Sequence, residues 1–359
     1  MESFVCTTNP SHVIFGPAGQ SSSQLLGLLE RRTLRRALIL STPGQVDKAT
    51  TLEQALTPNA VGVFSKATAH TPIEVTREAV DATQALEADS IVSIGGGSTI
   101  GLGKAISIRT GLPHICIPTT YAGSEMTPIL GETMDGIKTT RRDTAILPDT
   151  VIYDVSLTTS LPQDVSITSG INAIAHAVEA LYAPDTNPII RLMAKEGINA
   201  LSQALLVITT TPQDLEARTK ALYGAWLCGV CLSSTTMSLH HKLCHTLGGS
   251  FNLPHAETHT VLLPHTFAYN SLAAPAASRD VADSLGHAGG DPVEALNGLL
   301  DRLGACRTLS RYGLREEDLG KAASIAVQSP YGNPRKIEGK LIHDLLRRAW
   351  AGESAVADL

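Results

Sequence analysis

Apolar positions follow two different patterns along this chain. Up to Asp154, short unbroken apolar runs alternate with longer stretches in which apolar residues recur every three or four positions. Ala37-Leu-Ile-Leu-Ser41 ends at Thr42-Pro43-Gly44, Ser90-Ile-Val-Ser-Ile94 ends at Gly95, and His114-Ile-Cys-Ile117 ends at Pro118. Such runs, rich in β-branched residues and stopped by glycine or proline, predict strands buried on both faces of a parallel sheet. Between them, Pro72 to Leu86 sets Val75, Ala79, Val80, Thr83 and Leu86 near one face of a helix. Strand and helix in alternation predict a doubly wound α/β domain.

After Val151-Ile-Tyr-Asp154 the pattern becomes helical. Asp164 to Tyr182, Pro188 to Leu206, Pro212 to Leu232 and Ala322 to Gln328 read as helices with few β-branched runs. The second half is therefore predicted to be all-α. The boundary falls near residues 155–163, where Pro162 sits at a helix start. The expected division is 1–158 for an α/β dinucleotide-binding domain and 159–359 for an all-helical catalytic domain. A chain of 359 residues exceeds one comfortable core, so two domains flanking a cleft are expected. Ala221 to Leu239 carries no charge, but Gly224, Gly229 and Ser233-Ser-Thr-Thr236 dilute it, so it reads as a buried helix and not as a membrane span.

Composition narrows the function. With 43% apolar and 17% charged residues the chain has enough apolar surface to fold unaided. A formal charge of −6, with basic residues scattered, gives no field for a phosphate backbone, so nucleic acid is not an expected partner. Met1 to Pro10 has no basic-then-apolar succession, so a cytoplasmic protein without membrane association is expected. Of six cysteines only Cys228 and Cys231 form a CxxC pair, and no second pair completes a zinc tetrahedron; they read as buried free thiols.

Two loops carry candidate chemistry in the first half. Gly95-Gly96-Gly97-Ser98 follows a strand and precedes a helix over Thr99 to Ile108, which lets the backbone approach a pyrophosphate at a positive helix end. A tight strand-to-helix turn also needs glycine for steric reasons alone. The second loop, Pro118-Thr119-Thr120-Tyr121-Ala122-Gly123-Ser124-Glu125, follows another strand and offers hydroxyls for phosphate or ribose oxygens. Loops at adjacent strand ends mark one crevice. The GxGxxG spacing is absent, and no carboxylate closes the strand at Ser41-Thr42, so the choice between NADH and NADPH stays open.

The second half carries histidines at informative spacings. Asn172 and His176 are four apart on one predicted helix, and His241, His245 and His255 follow as His-x3-His-x9-His, within a total of 12 histidines. Residues four apart share a helix face, which is how helices build metal or proton-handling sites.

Gly95-Gly-Gly-Ser98, Pro118-Thr-Thr120 with the following Gly-Ser-Glu, Gly170-Ile-Asn-Ala-Ile-Ala-His176, and His241-x3-His245-x9-His255 resemble the signature blocks of the iron-containing alcohol dehydrogenase family, in its order. The resemblance implies the dehydroquinate synthase-like fold. It also implies a divalent metal at Asn172, His176, His241 and His255, with His245 near the nicotinamide. The family's aspartate is replaced by Asn172, and this departure, with Thr119-Thr-Tyr-Ala-Gly-Ser-Glu125, resembles the branch of maleylacetate reductases. That branch implies an NADH-using enzyme without a metal. The cofactor is then expected at Gly95, Gly96, Gly97, Ser98, Thr119, Thr120, Ser124 and Lys138.

Catalysis is expected from His241, His245, His176, His255 and Asn172. A C=C bond conjugated with a ketone accepts hydride to give an enolate, a weaker base than the alkoxide formed from a simple carbonyl, and histidine donors can stabilise it. Protonated histidines, with Lys242 or an arginine, complement a small dicarboxylate substrate. The segment Tyr331-Gly-Asn-Pro-Arg335 reads either as one wall of the site or as an ordinary turn. Competing expectations are a metal-dependent alcohol or polyol dehydrogenase and a nucleotide-binding assembly protein that has lost catalysis. A homodimer is the default assembly.

Overall fold

The computed structural model describes Phe4, Cys6 and residues 11–135, 137–328 and 331–358, with the side chains of Ile137 and Lys138 outside the described set. Of the chain's two compact units, one ends at Leu161 and the other begins at Pro162 and also takes in Phe4 and Cys6.

The first unit begins β1 (His12–Phe15), α1 (Ser21–Arg31), β2 (Ala37–Leu40), α2 (Val46–Leu56) and β3 (Ala60–Phe64). It continues α3 (Ile73–Ala85), β4 (Ser90–Gly95), α4 (Gly97–Thr110) and β5 (His114–Pro118). The hairpin β6 (Ile129–Met134) and β7 (Ile137–Arg142) precedes β8 (Thr150–Tyr153). Six strands form a sheet in the order β1-β8-β5-β4-β2-β3, and all its pairings are parallel.

The unbroken run in β2 has a direct cause. Ala37 and Ile39 face a core shared with Leu25 and Leu29 of α1 and Leu52 of α2, whereas Leu38 and Leu40 face one shared with Ala79 of α3 and Leu102 and Ile106 of α4. Both faces are covered, so neither tolerates a polar residue, and each buried leucine contributes about 1.5–3 kcal/mol. The edge strand β3 and the separate two-stranded hairpin were not apparent in the pattern. β3 is only half-buried along its length, and β6 and β7 carry Glu132, Thr133, Thr139 and Thr140, so pairing and not apolar periodicity makes them strands.

From Gln163 the described residues form helices. These are α5 (Gln163–Tyr182), α6 (Pro188–Thr210), α7 (Leu215–Ser234), α8 (Leu239–Phe251), α9 (His255–Ser271), α10 (Pro275–Ser284), α11 (Pro292–Arg302), α12 (Leu319–Val327) and α13 (Gly339–Ala351). The α/β sheet followed by an all-helical unit matches the predicted fold class. Helix α5 is buried on nearly every side, which explains its unbroken Gly170-Ile-Asn-Ala-Ile-Ala run. Helices α6 and α7 approach closely where Gly197 and Gly224 meet, since a Cβ on Gly224 would lie 3.1 Å from the Gly197 carbonyl oxygen.

The single helix expected over Ala221 to Leu239 is instead two. Helix α7 stops at Ser234, and the turn before α8 is held from outside: the Thr236 amide donates to Asp185 at 2.9 Å and the Ser238 amide to Glu179 at 3.1 Å. Tertiary carboxylates take these amides out of the helical ladder. Among the described residues no helix is long and apolar enough to cross a membrane. Cys228 and Cys231 are buried free thiols.

Candidate active site

The register of the central strands brings the two polar loops together. Gly95 at the end of β4 lies opposite Pro118 at the end of β5, and the Thr119 amide donates to the Gly95 carbonyl at 3.1 Å. A Cβ on Gly96 would come within 2.8 Å of Thr120 Cγ2, whereas one on Gly97 would meet nothing. Glycine at 96 is thus demanded by the chain's own packing. Gly97 opens the first turn of α4, where Ser98 is half-buried and the unpaired amides of a helix start point outward. Thr119 is buried and Thr120 and Ser124 are partly so. Lys138 lies on β7, with its side chain outside the described residues.

A residue not anticipated from sequence holds the second loop in place. Lys104 on α4 is fully buried and donates to the Ser124 carbonyl at 2.6 Å, Thr127 Oγ1 at 2.9 Å and the Ile129 carbonyl at 3.0 Å. An ammonium has three donors and all are used. Burial draws its pKa down to about 8. Beside it, Tyr153 donates to Glu125 at 2.8 Å, both are buried, and burial raises the Glu125 pKa.

In the helical unit the four predicted histidines lie in one group. His176 Nδ1 is 2.9 Å from His241 Nε2, the His241 and His245 rings are 6.0 Å apart, and the His245 and His255 rings stack at 6.3 Å. Exposure is graded: His245 and His255 are exposed, and His176 and His241 are buried. Asn172 Oδ1, one turn before His176 on α5, is buried with no hydrogen-bond partner.

Glu179, one turn beyond His176, organises this group. It is fully buried and accepts from the amides of Ser238 at 3.1 Å and His240 at 2.8 Å, so it caps the start of α8. It also accepts from His241 Nδ1 at 2.6 Å. That bond fixes the His241 tautomer and leaves Nε2 a lone pair directed toward His176. Sequence reasoning missed Glu179, although its place three residues after His176 on the same helix was a usable signal. It also missed His240 and His259, whose rings pack within the cluster; the His255-x3-His259 spacing repeats that of His241 and His245. Asn333 of the segment 331–335 pairs with Asn270 through two bonds of 2.9 and 2.7 Å, and Arg335 stacks on Tyr269 at 4.4 Å. The turn is thereby fastened to α9.

A parallel sheet with a glycine turn, followed by a helical histidine site, is the plan of a nicotinamide-dependent oxidoreductase. The chain belongs to the iron-containing alcohol dehydrogenase family: the model "Iron-containing alcohol dehydrogenase" matches residues 10–155, and "Fe-containing alcohol dehydrogenase family, C-terminal" matches residues 166–350. It is 53% identical over 355 residues to a maleylacetate reductase of Rhizobium sp., covering 98% of this chain and 99% of that protein. The crystal structure of maleylacetate reductase from Agrobacterium tumefaciens superposes with a TM-score of 0.94 at 52% identity, over 99% of this chain and 100% of that one. That of an iron-containing alcohol dehydrogenase from Corynebacterium glutamicum superposes with a TM-score of 0.93 at 40% identity, over 98% of each chain.

The family corrects one expectation. No metal was anticipated because Asn172 brings no charge, but membership of an iron-containing family implies an iron ion. The residues fit one. Asn172 Oδ1 is orphaned, two buried imidazole nitrogens converge within 2.9 Å, and a carboxylate stands behind His241. A carboxylate hydrogen-bonded to a ligating imidazole strengthens it as a donor, and three protein ligands suffice at catalytic metal sites. The negative charge missing at Asn172 is present one layer out, on Glu179.

Proposed function

We propose that this chain catalyses the NADH-dependent reduction of the C=C bond of maleylacetate to 3-oxoadipate, in the breakdown of aromatic compounds. The reading is carried by the 53% identity to a maleylacetate reductase over nearly the whole of both chains. NADH supplies a hydride to the carbon β to the ketone, the electron pair of the C=C bond passes to the ketone oxygen as an enolate, and a proton added at the α-carbon completes 3-oxoadipate and NAD⁺.

The α/β domain, residues 1–158, binds the nucleotide. Gly95, Gly96, Gly97 and Ser98 receive the pyrophosphate at the start of α4, and Thr119, Thr120, Ser124 and Lys138 complete the surround. The helical domain, residues 159–359, handles the substrate. Asn172, His176, His241 and His255 would hold the iron, which when bound supplies a Lewis acid that polarises a ketone oxygen. Glu179 orients His241. His245, exposed at the edge of the cluster, delivers the proton, and Lys242 on the same helix faces a substrate carboxylate. The working form is a cytoplasmic homodimer.

The test is NADH oxidation, followed by its loss of near-ultraviolet absorbance, with freshly prepared maleylacetate. Rapid turnover is the expected result. Absence of turnover alongside oxidation of simple alcohols would return the chain to the alcohol dehydrogenases for which its family is named.

A further inference from the structure

Behind the predicted histidines lies a second relay that the mechanism leaves unused. His240 and His259 are fully buried, and His240 Nε2 is 2.9 Å from His259 Nδ1. His240 Nδ1 is 2.9 Å from Thr266 Oγ1. The Thr266 hydroxyl has one proton, and it is directed at the Leu262 and Leu263 carbonyls at 3.0 and 3.1 Å. Thr266 Oγ1 therefore accepts from His240.

The directions of the remaining bonds follow. His240 carries its proton on Nδ1, so its Nε2 accepts, and His259 donates from Nδ1. A neutral imidazole has one N–H, and these bonds place it on Nδ1 in both rings. His259 Nε2 is thus left with a lone pair, and this buried nitrogen has no hydrogen-bond partner. Cys244 Sγ lies 3.7 Å from His240 Nε2, a longer and weaker contact than the one to His259.

The surroundings of His259 say what the lone pair is for. Its ring packs against those of His255 at 4.4 Å, His241 at 4.9 Å and His176 at 5.9 Å, each at a steep angle. Imidazoles sharing one ion at about 2.1 Å have centroids roughly 4.5–5.2 Å apart; the His255 and His241 spacings lie close to that range and the His176 spacing is longer. We propose that His259 is a further ligand of the metal site, offering its Nε2 to the ion that His176, His241 and His255 hold. This rests on the assignment of those residues as the metal-holding set. It gives a site whose first ligands are all neutral a fourth imidazole, locked in the required tautomer by Thr266.

The test uses the metal-stripped protein and Co²⁺ as the probe. Competition against a chelator gives the affinity, and X-ray absorption of the loaded protein gives the number of imidazole ligands and any sulfur. His259→Phe, which keeps a ring in place, should weaken Co²⁺ about 10- to 100-fold and remove one imidazole from the shell. Thr266→Val keeps His259 but releases the tautomer, and should weaken Co²⁺ several-fold; it decides the matter if the first variant does not fold. Unchanged affinity and ligand number would overturn the proposal. So would a sulfur ligand, which would place the ion among His240, Cys244 and His259 instead, and so would failure of the parent protein to take up Co²⁺. NADH oxidation with maleylacetate by the same preparation separates any of these from failure of the reductase reading.

Discussion

Lys104 and His259 are both fully buried polar groups, and the protein treats them in opposite ways. Every proton of the Lys104 ammonium has an acceptor within its own domain, so the group is spent on shaping the loop from Ser124 to Ile129. His259 is satisfied at one nitrogen only, and Asn172 Oδ1, in the same helical domain, has no partner. A buried polar atom left unpaired costs on the order of 1–3 kcal/mol. The loop that Lys104 holds is therefore complete in itself, while the histidine cluster keeps capacity for something it must receive.

If that contrast is right, the largest effect of substitution belongs to the histidine side. His241→Ala removes both the Glu179 contact and a donor to the site, and should lower turnover by about 10³-fold. NADH affinity, measured by fluorescence titration, should stay within a few-fold; equal loss of both would erase the distinction between the two regions.

Lys104→Met should act the other way, through stability. Three acceptors lose their donor, and a loss of about 2–4 kcal/mol at neutral pH is expected in urea unfolding. The sign of the pH dependence is also fixed. The folded pKa of about 8 lies below the ordinary 10.5, so burying the charge costs stability below pH 8, and the cost is relieved as pH rises from 8 to 10.5. Over that window the parent should gain roughly 3 kcal/mol relative to Lys104→Met. Parallel curves would show that the ammonium is not buried as described.

Gly96→Ala is a smaller perturbation confined to the first loop. The added Cβ meets Thr120 at 2.8 Å, and moving either loop should weaken NADH binding about ten-fold, or 1.4 kcal/mol. Co²⁺ affinity should not change.

The smallest effect tests the scaffold far from chemistry. Asp154 accepts from the Gly19 amide at 2.8 Å, the Ser21 amide at 3.0 Å and the Ser156 amide at 3.0 Å. Burial alone would raise its pKa, but these bonds and the Ser156 hydroxyl outweigh it and hold the value below 3.8. Its contribution is whole above pH 3.8 and fades as pH falls through the folded value. Asp154→Asn should cost about 1 kcal/mol at pH 7 and flatten the acid limb of a thermal-melting profile. An unchanged acid limb would assign the acid sensitivity to other carboxylates.

Much of this was legible in the chain. The runs at 37–41, 90–94 and 114–117 announced a sheet buried on both faces, because a strand covered by helices on both sides has no position where a polar side chain reaches water. His241-x3-His245 announced part of a histidine cluster because helical period puts residues four apart on one face. What sequence left out depends on partners distant in the chain. Glu179 looked like any helical glutamate until the fold set it against the start of α8, 59 residues away. Lys104 carried no signal in the sequence and is buried by contacts with the loop from Ser124 to Ile129, and Ala221 to Leu239 looked like one helix until Asp185 and Glu179 took the amides between α7 and α8. Local periodicity follows from residues within a few positions of one another, so the sequence by itself determined the buried central strands, most of the helices and which histidines share a helix face. The pairing of buried polar atoms is a long-range property, so only the tertiary structure decided which of them are satisfied and which, such as Asn172 Oδ1 and His259 Nε2, are kept in reserve.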